Sequence, residues 1–222
     1  MTSVVDDLLE ELQSEDENDR RYAAEDLGDL GDKEAIPGLV KALQDPVIAV
    51  REAAADALVT IGGKEVAEQV VPLLDSDDAW LRNYATEILE QIGPDAVEPL
   101  RSLCKSDSND LKKFAVDILG RIGEVNELDV FEEITELLDD ENVNVAGAAA
   151  EALGRIGDPA VIPLLAEHLN GPPWLQCNII HALCQIGGDG ARAVIENIDP
   201  DSLAQEANPY YEMALAMLKG NE

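Results

Sequence analysis

Hydrophobic and polar positions follow a helical period along this chain, and the pattern restarts every thirty or so residues. Around REAAADALVTIGG, which begins at Arg51, the apolar residues Val50, Ala54, Leu58 and Ile61 form one stripe of a helix. Gly62 predicts the end of that helix, because glycine takes the left-handed C-terminal conformation without steric cost. KEVAEQVVPLLD, from Lys64, predicts the next helix. The same order recurs at Leu30-Gly31, Ile61-Gly62, Ile92-Gly93, Ile122-Gly123, Ile156-Gly157 and Ile186-Gly187, with glycine spacings of 31, 31, 30, 34 and 30. Four residues before each glycine stands Leu27, Leu58, Leu89, Leu119, Leu153 or Leu183. Eight before stands Ala23, Ala54, Ala85, Ala115, Ala149 or Ile179. Eleven before stands Arg20, Arg51, Arg82, Lys112, Ala146 or Gln176. Asp45-Pro46, Asp158-Pro159 and Asp199-Pro200 predict helix starts, with an N-cap Asp ahead of a Pro suited to the first turn.

A two-helix unit of this kind cannot bury its own apolar face, whereas stacked units bury one another's. The expected fold is therefore all-α: a right-handed α-solenoid, or α-α superhelix, of about seven two-helix repeats. It forms one domain over residues 1–222, with the first repeat at 1–31 and its first helix near Ser3 to Gln13. A degenerate capping repeat occupies about 188–222, where NPYYEMALAMLKG loses the Leu and Ile columns. The longer spacing before Gly157 places a loop in GEVNELDV.

Composition narrows the function. Hydrophobic residues make up 46%, enough for a large core, while aromatics at 4% point to closely packed aliphatic helices. No apolar run nears the roughly 20 residues that span a bilayer. The first Lys or Arg is Arg20, which argues against a signal peptide, and three irregularly spaced cysteines argue for a reducing compartment. The expected location is the cytoplasm. Asp and Glu number 47 against 15 Lys and Arg, a formal net charge of −32. Such a surface repels nucleic acid and anionic membranes. Two readings of the acidity stand: attraction of a basic partner, or hydration in a salty, halophilic archaeal cytoplasm.

The repeat resembles the HEAT-like repeats named after the phycobilisome lyases, whose pattern looks like V-R-x-x-A-A-x-A-L-G-x-I-G-D-x-x-A-I-P-x-L. Here it reads VREAAADALVTIGG, AGAAAEALGRIGDPAVIPLL from Ala146, and RRYAAEDLGDLGDKEAIPGLV from Arg20. The resemblance implies a helical solenoid whose second helices line the concave face. It also brings to the table an enzyme subunit, a bilin or other cofactor lyase. Related hydroxylases carry repeated His-Glu pairs for iron, but here His168 precedes Leu169 and His181 precedes Ala182. Related DNA glycosylases use a basic face, which this chain lacks.

Four groups of side chains are candidates. Six residues before the glycines stand Glu25, Asp56, Glu87, Asp117 and Glu151, a ladder of carboxylates if the repeats stack in register. It is either a groove for a basic protein or a set of local pairs, since Arg21–Glu25 and Lys113–Asp117 are spaced i, i+4. The basic column at Arg20, Arg51, Arg82 and Lys112 is expected to tie neighbouring units through Asp residues in the turns. Trp80 and Trp174, thirteen before their glycines, fall in an otherwise polar column; each is an interface anchor or the cover of a turn. Cys177, His181 and Cys184 lie at i, i+4 and i+7. One helix spreads that trio over roughly 10 Å of rise, so ordinary exposed residues are expected rather than a metal site. There is no phosphate loop and no nucleophile elbow. The expectation is a non-catalytic protein-binding scaffold without cofactor, with a chemotaxis or motility adaptor as a special case.

Overall fold

A computed structural model describes residues 3–126 and 130–220 of the 222-residue chain. Among the described residues every regular element is helical, which matches the expected all-α solenoid of two-helix repeats. The helices pair in chain order: α1 (Val4–Glu11) with α2 (Glu17–Leu30), α3 (Ile36–Ala42) with α4 (Ile48–Ile61), α5 (Gly63–Val70) with α6 (Ala79–Ile92), and α7 (Val97–Cys104) with α8 (Asn109–Asn126). There follow α9 (Phe131–Glu136) with α10 (Val143–Ile156), α11 (Ile162–Glu167) with α12 (Pro173–Ile186), and α13 (Gly188–Glu196) with α14 (Asn208–Gly220). Two compact units divide the chain, residues 1–100 and 101–222.

First helices are short, and most adjoin a 3₁₀ turn. The helix expected from Lys64 ends at Val70 and continues as a 3₁₀ turn over Val71–Asp75, since Pro72 has no N–H to extend the α-ladder. Ser3 caps α1 and closes a capping box with Asp6. Second helices are the long members, and the sequence columns become their buried stripe. Leu27, Leu58 and Leu89 in the first unit, and Leu119, Leu153 and Leu183 in the second, are wholly buried, as are the alanines of the eight-before column and Ile179. Each buried leucine is worth about 1.5–3 kcal/mol in transfer free energy.

The glycines do different jobs. Gly31 and Gly157 end their helices in the left-handed conformation, as expected. Gly123 does not end its helix: α8 runs on to Asn126, and residues 127–129 of the stretch GEVNELDV, where a loop was expected, lie outside the described residues. Gly123 is buried, and a Cβ there would meet Val130 Cγ2 at 3.0 Å and Ile156 Cγ1 at 3.1 Å. Its role is close approach.

Close approach also sets the spacing of second helices. Gly28, Gly120 and Gly154 stand three before their glycines. A Cβ at each would lie 2.8 Å from Ala57, 2.8 Å from Ala152 and 2.6 Å from the Ala182 Cα. The facing alanines stand five before the next glycine. Where these positions are Val59 and Ile88, bulk replaces the notch, and α4 meets α6 much less extensively than α2 meets α4.

Polar ties cross the repeat joints at the eleven-before column. Arg20 Nε and Nη2 donate to the two oxygens of Asp45 at 2.7 and 3.0 Å, while Nη1 donates to Ser14 O at 2.9 Å. Lys112 Nζ reaches Asp140 Oδ2 at 2.6 Å. The expected Asp partners are therefore present at these two joints. Arg82 instead donates to the carbonyl of Ser76 at 2.6 Å, and Arg51 Nε is buried without a hydrogen-bond partner among the described residues. Ser76 stands at the Asp45 position of the following repeat, so Arg51 lacks the tie across the joint that Arg20 makes, and its charge acts on Asp45 of its own repeat. Gln176 makes the tie without charge: Nε2 donates to Leu169 O and Oε1 accepts from Ala204 N, both at 2.9 Å.

Asp45 thus differs from the expected N-cap. Helix α4 begins at Ile48, and Asp45 serves Arg20 and the Val47 N–H. Asp158 and Asp199 do cap, but they cap the 3₁₀ turns Pro159–Val161 and Pro200–Ser202. The Arg20 guanidinium holds the Asp45 carboxyl below the usual aspartate range, against the opposing effect of burial.

Two outcomes follow. Gly154→Ala raises helix propensity by about 1 kcal/mol but drives a methyl into the Ala182 backbone, where overpacking costs about 1–3 kcal/mol. Urea denaturation will show a net loss of stability. Asp45 has a depressed folded pKa, so its contribution is present above the unfolded value of about 3.9 and is lost as pH falls through the folded value. Asp45→Asn will lower the denaturation midpoint at pH 7, and its difference from the native chain will shrink in strongly acidic buffer.

Candidate protein-binding face

The six-before column falls two residues from the buried Ala column and two from the buried Leu column. On a helix this places it on the opposite side, toward solvent. In the first unit Glu25 on α2, Asp56 on α4 and Glu87 on α6 are exposed. An open groove of about 510 Å³ between α2 and α4 is lined by Glu25, Asp29, Glu52 and Asp56. A second, of about 300 Å³ between α4 and α6, is lined by Glu52, Asp56, Glu87 and Tyr84. Glu52 and Asp56 belong to both, so the first unit carries one continuous acidic strip.

The carboxylates of this strip differ in their partners. Arg21 pairs with Glu25 and lays its guanidinium over Tyr22, 4.2 Å from the ring centre. Glu87 accepts a weak hydrogen bond from Gln91 at 3.4 Å. Glu52, Asp56 and Glu87 have no ion pair among the described residues.

In the second unit the same column is neutralised. Arg155 on α10 lies 3.1 Å from Asp117 and 3.7 Å from Glu151, and Arg121 lies 3.4 Å from Asp117. The i, i+4 partner of Asp117 is Arg121 rather than the expected Lys113 on the other side. Sequence columns missed Glu52, Tyr84 and Arg155, since their columns vary from repeat to repeat. A signal was present: Glu52 stands four before Asp56, and Arg155 four after Glu151, on the same helix faces.

The tryptophans separate. Trp80, second residue of α6, is 64% exposed, and its N–H donates to the cap Asp78 at 2.8 Å. Trp174 is half-buried rather than exposed, with its ring beside Gly147 on α10; a Cβ at Gly147 would lie 3.8 Å from Cζ3, an ordinary contact, and 2.5 Å from Asn178 Nδ2.

Cys177, His181 and Cys184 share α12 but not a centre. Cys177 Sγ donates to Pro173 O at 3.3 Å and lies 3.6 Å from Glu206 O, Cys184 is half-buried, and His181 is exposed. Burial raises both thiol pKa values. His168 contacts Leu164 O and Asp139 instead, at 2.9 and 3.1 Å. Among the described residues no three His, Cys, Asp or Glu side chains are grouped to hold a metal ion. Buried Cys104, pushed up to about 11 by burial and by Glu133, is a packing residue. No helix among the described residues is long and apolar enough to cross a membrane.

The model of the family of HEAT repeats matches residues 5–90, 70–135, 97–184 and 134–207. A HEAT repeat-containing taxis protein of Halobacterium salinarum is 35% identical over 176 residues, covering 76% of this chain and 39% of that protein. The phycocyanobilin lyase subunit alpha of a Picosynechococcus species is 34% identical over 137 residues, covering 55% of this chain and 51% of the subunit. The chain therefore spans between two fifths and about half of the length of these relatives. Among solved structures, the MAST/Orbit N-terminal domain superposes with a TM-score of 0.53 at 16% identity, over 83% of this chain and 96% of that domain, a likeness of fold.

Addition of zinc to the purified protein will leave its Tm unchanged, and His181→Ala will leave it within about 0.5 kcal/mol of native stability, as for an ordinary surface side chain. A zinc-dependent rise in Tm, lost in Cys177→Ser, would show a site that this geometry does not form.

Proposed function

The chain belongs to the HEAT-repeat family, and from that premise we propose that it is a non-catalytic scaffold that binds another protein with a basic surface. The observation that carries the reading is the continuous acidic strip through Glu25, Asp56 and Glu87 on α2, α4 and α6. An extended row of carboxylates steers and registers a cationic partner, and each contact adds modestly. Asp117 and Glu151 contribute less, being held by Arg155. Trp80, exposed at the start of α6, supplies the apolar anchor, whereas Trp174 is seated on its own neighbouring helix. In a salty cytoplasm the charged contacts weaken and Trp80 carries more of the affinity. The reading requires no cofactor.

The name of the Halobacterium relative supports a scaffold working in taxis. The name of the cyanobacterial relative favours a second reading, a subunit of a bilin lyase. A shifted bilin absorption band that stays with the purified chain through gel filtration would favour that reading over the scaffold.

The scaffold is tested by affinity capture from the source cells with the native chain and two double variants. Asp56→Lys/Glu87→Lys reverses charge on the strip, and Glu10→Lys/Glu34→Lys makes the same charge change away from the grooves. The partner captured by the native chain will be lost with the first and kept with the second. It will also be released by salt near 1 M, where the Debye length is about 3 Å. Equal capture by all three would defeat the reading.

A further inference from the structure

At three joints a polar side chain of the eleven-before column ties one repeat to the next. Arg20 reaches Asp45, Lys112 reaches Asp140, and Gln176 reaches Ala204 N. Arg51 stands in the same column, and its Nε is buried without a hydrogen-bond partner among the described residues. Both oxygens of Asp45, in the turn of its own repeat, are already taken by Arg20. A buried donor left without an acceptor costs stability.

The turns show what Arg51 lacks. Asp45 Oδ1 accepts from the Val47 N–H at 2.9 Å, and Asp140 Oδ1 accepts from the Asn142 N–H at 2.8 Å. The second oxygen of each faces the cation: Asp45 Oδ2 accepts from Arg20 Nε at 2.7 Å, and Asp140 Oδ2 from Lys112 Nζ at 2.6 Å. Ser76 holds the same place in the turn before α6, and its Oγ accepts from the Asp78 N–H at 3.1 Å. The serine thus keeps the hydrogen bond of the turn and lacks the second oxygen. Arg82 Nη1 donates to the Ser76 carbonyl at 2.6 Å, so one guanidinium already stands beside this residue. Ser76 is half-exposed, between the exposed Asp75 and Asp77.

We propose that Ser76 is a phosphorylation site, and that its phosphate takes the seat of the missing carboxylate and binds Arg51 across the joint between α4 and α6. The inference does not depend on the scaffold reading. A protein kinase of the cell supplies the group from a nucleoside triphosphate. Ser76 Oγ bonds to the γ-phosphorus, the bond from that phosphorus to its bridging oxygen breaks, and the nucleoside diphosphate leaves. The hydroxyl proton passes to a base of the kinase. The ester brings nearly two negative charges and three acceptor oxygens. Those oxygens lie one bond further from Cβ than the oxygens of aspartate, which suits a joint whose helices meet less extensively than α2 and α4. Asp75, Asp77 and Asp78 oppose the added charge, but they are exposed, and repulsion between exposed groups is screened more than attraction to a buried donor. One phosphate converts an untied joint into a tied one.

The test compares the full chain carrying phosphoserine at position 76 with the chain carrying serine there, each with and without Arg51→Gln. In a buffer without phosphate, phosphoserine will raise Tm by about 3 °C, the shift expected for one charge-assisted pair in a chain of this size. The gain will vanish with Arg51→Gln. Arg51→Lys, which keeps the charge, will retain part of it, so the outcome does not hang on the fold of one variant. Mass spectrometry of the chain purified from its source cells will find an added phosphate on Ser76. A lower Tm with phosphoserine, an equal gain in both backgrounds, or an unmodified Ser76 in cells sampled throughout growth would overturn the proposal. An equal gain by the serine chain in millimolar inorganic phosphate would also overturn it, since the seat would then serve a free anion.

Discussion

The distance at which one second helix can lie against the next governs this structure. Helix surfaces approach only as closely as their facing side chains allow. Gly28 against Ala57 and Gly154 against Ala182 leave no room for another methyl group, so these helices share a tight seam. Between α4 and α6 the corresponding positions are Val59 and Ile88, and these two helices meet less extensively. A repeat protein can thus keep its hairpin and still vary the surface that it presents, by changing the size of two residues at a joint.

Polar ties reinforce some joints and not others. Arg20 with Asp45 and Lys112 with Asp140 couple a second helix to the turn of the following repeat, and Gln176 makes an equivalent link with neutral hydrogen bonds. Arg51 stands in the same column but faces a repeat whose turn carries Ser76. The joint between α4 and α6 thus has neither the carboxylate tie nor the small-residue seam. Both features loosen the contact between α4 and α6, and both lie beside the carboxylates that lack cations.

The large negative charge is not uniform in effect. In the second unit Arg155 draws Asp117 and Glu151 to itself, and that row is internally matched. In the first unit Asp56 and Glu87 retain an unmatched field over an open groove. One acidic composition thus gives two local outcomes: the placement of fifteen basic residues decides where the carboxylates are paired and where they are left without a cation.

Recurring columns were enough, in the sequence alone, to establish helical repeats, the buried faces of their second helices and the outward side of Glu25, Asp56 and Glu87. A period of 3.6 residues within a period of about thirty leaves little freedom for those positions. Gly123 lies beyond that logic: it carries the same letter as Gly157, yet it is buried inside a continuing helix because Val130 and Ile156 close over it. Trp80 and Trp174 share a column, but only tertiary packing exposes one and seats the other against Gly147. Arg21 with Glu25 was legible as an i, i+4 pair, whereas Arg155 as the partner of Asp117 was hidden for the same reason. Local sequence decides which way a side chain points from its own helix, whereas the nearest cation and the width of the groove depend on a neighbouring helix thirty residues away, and those were settled only when the helices packed.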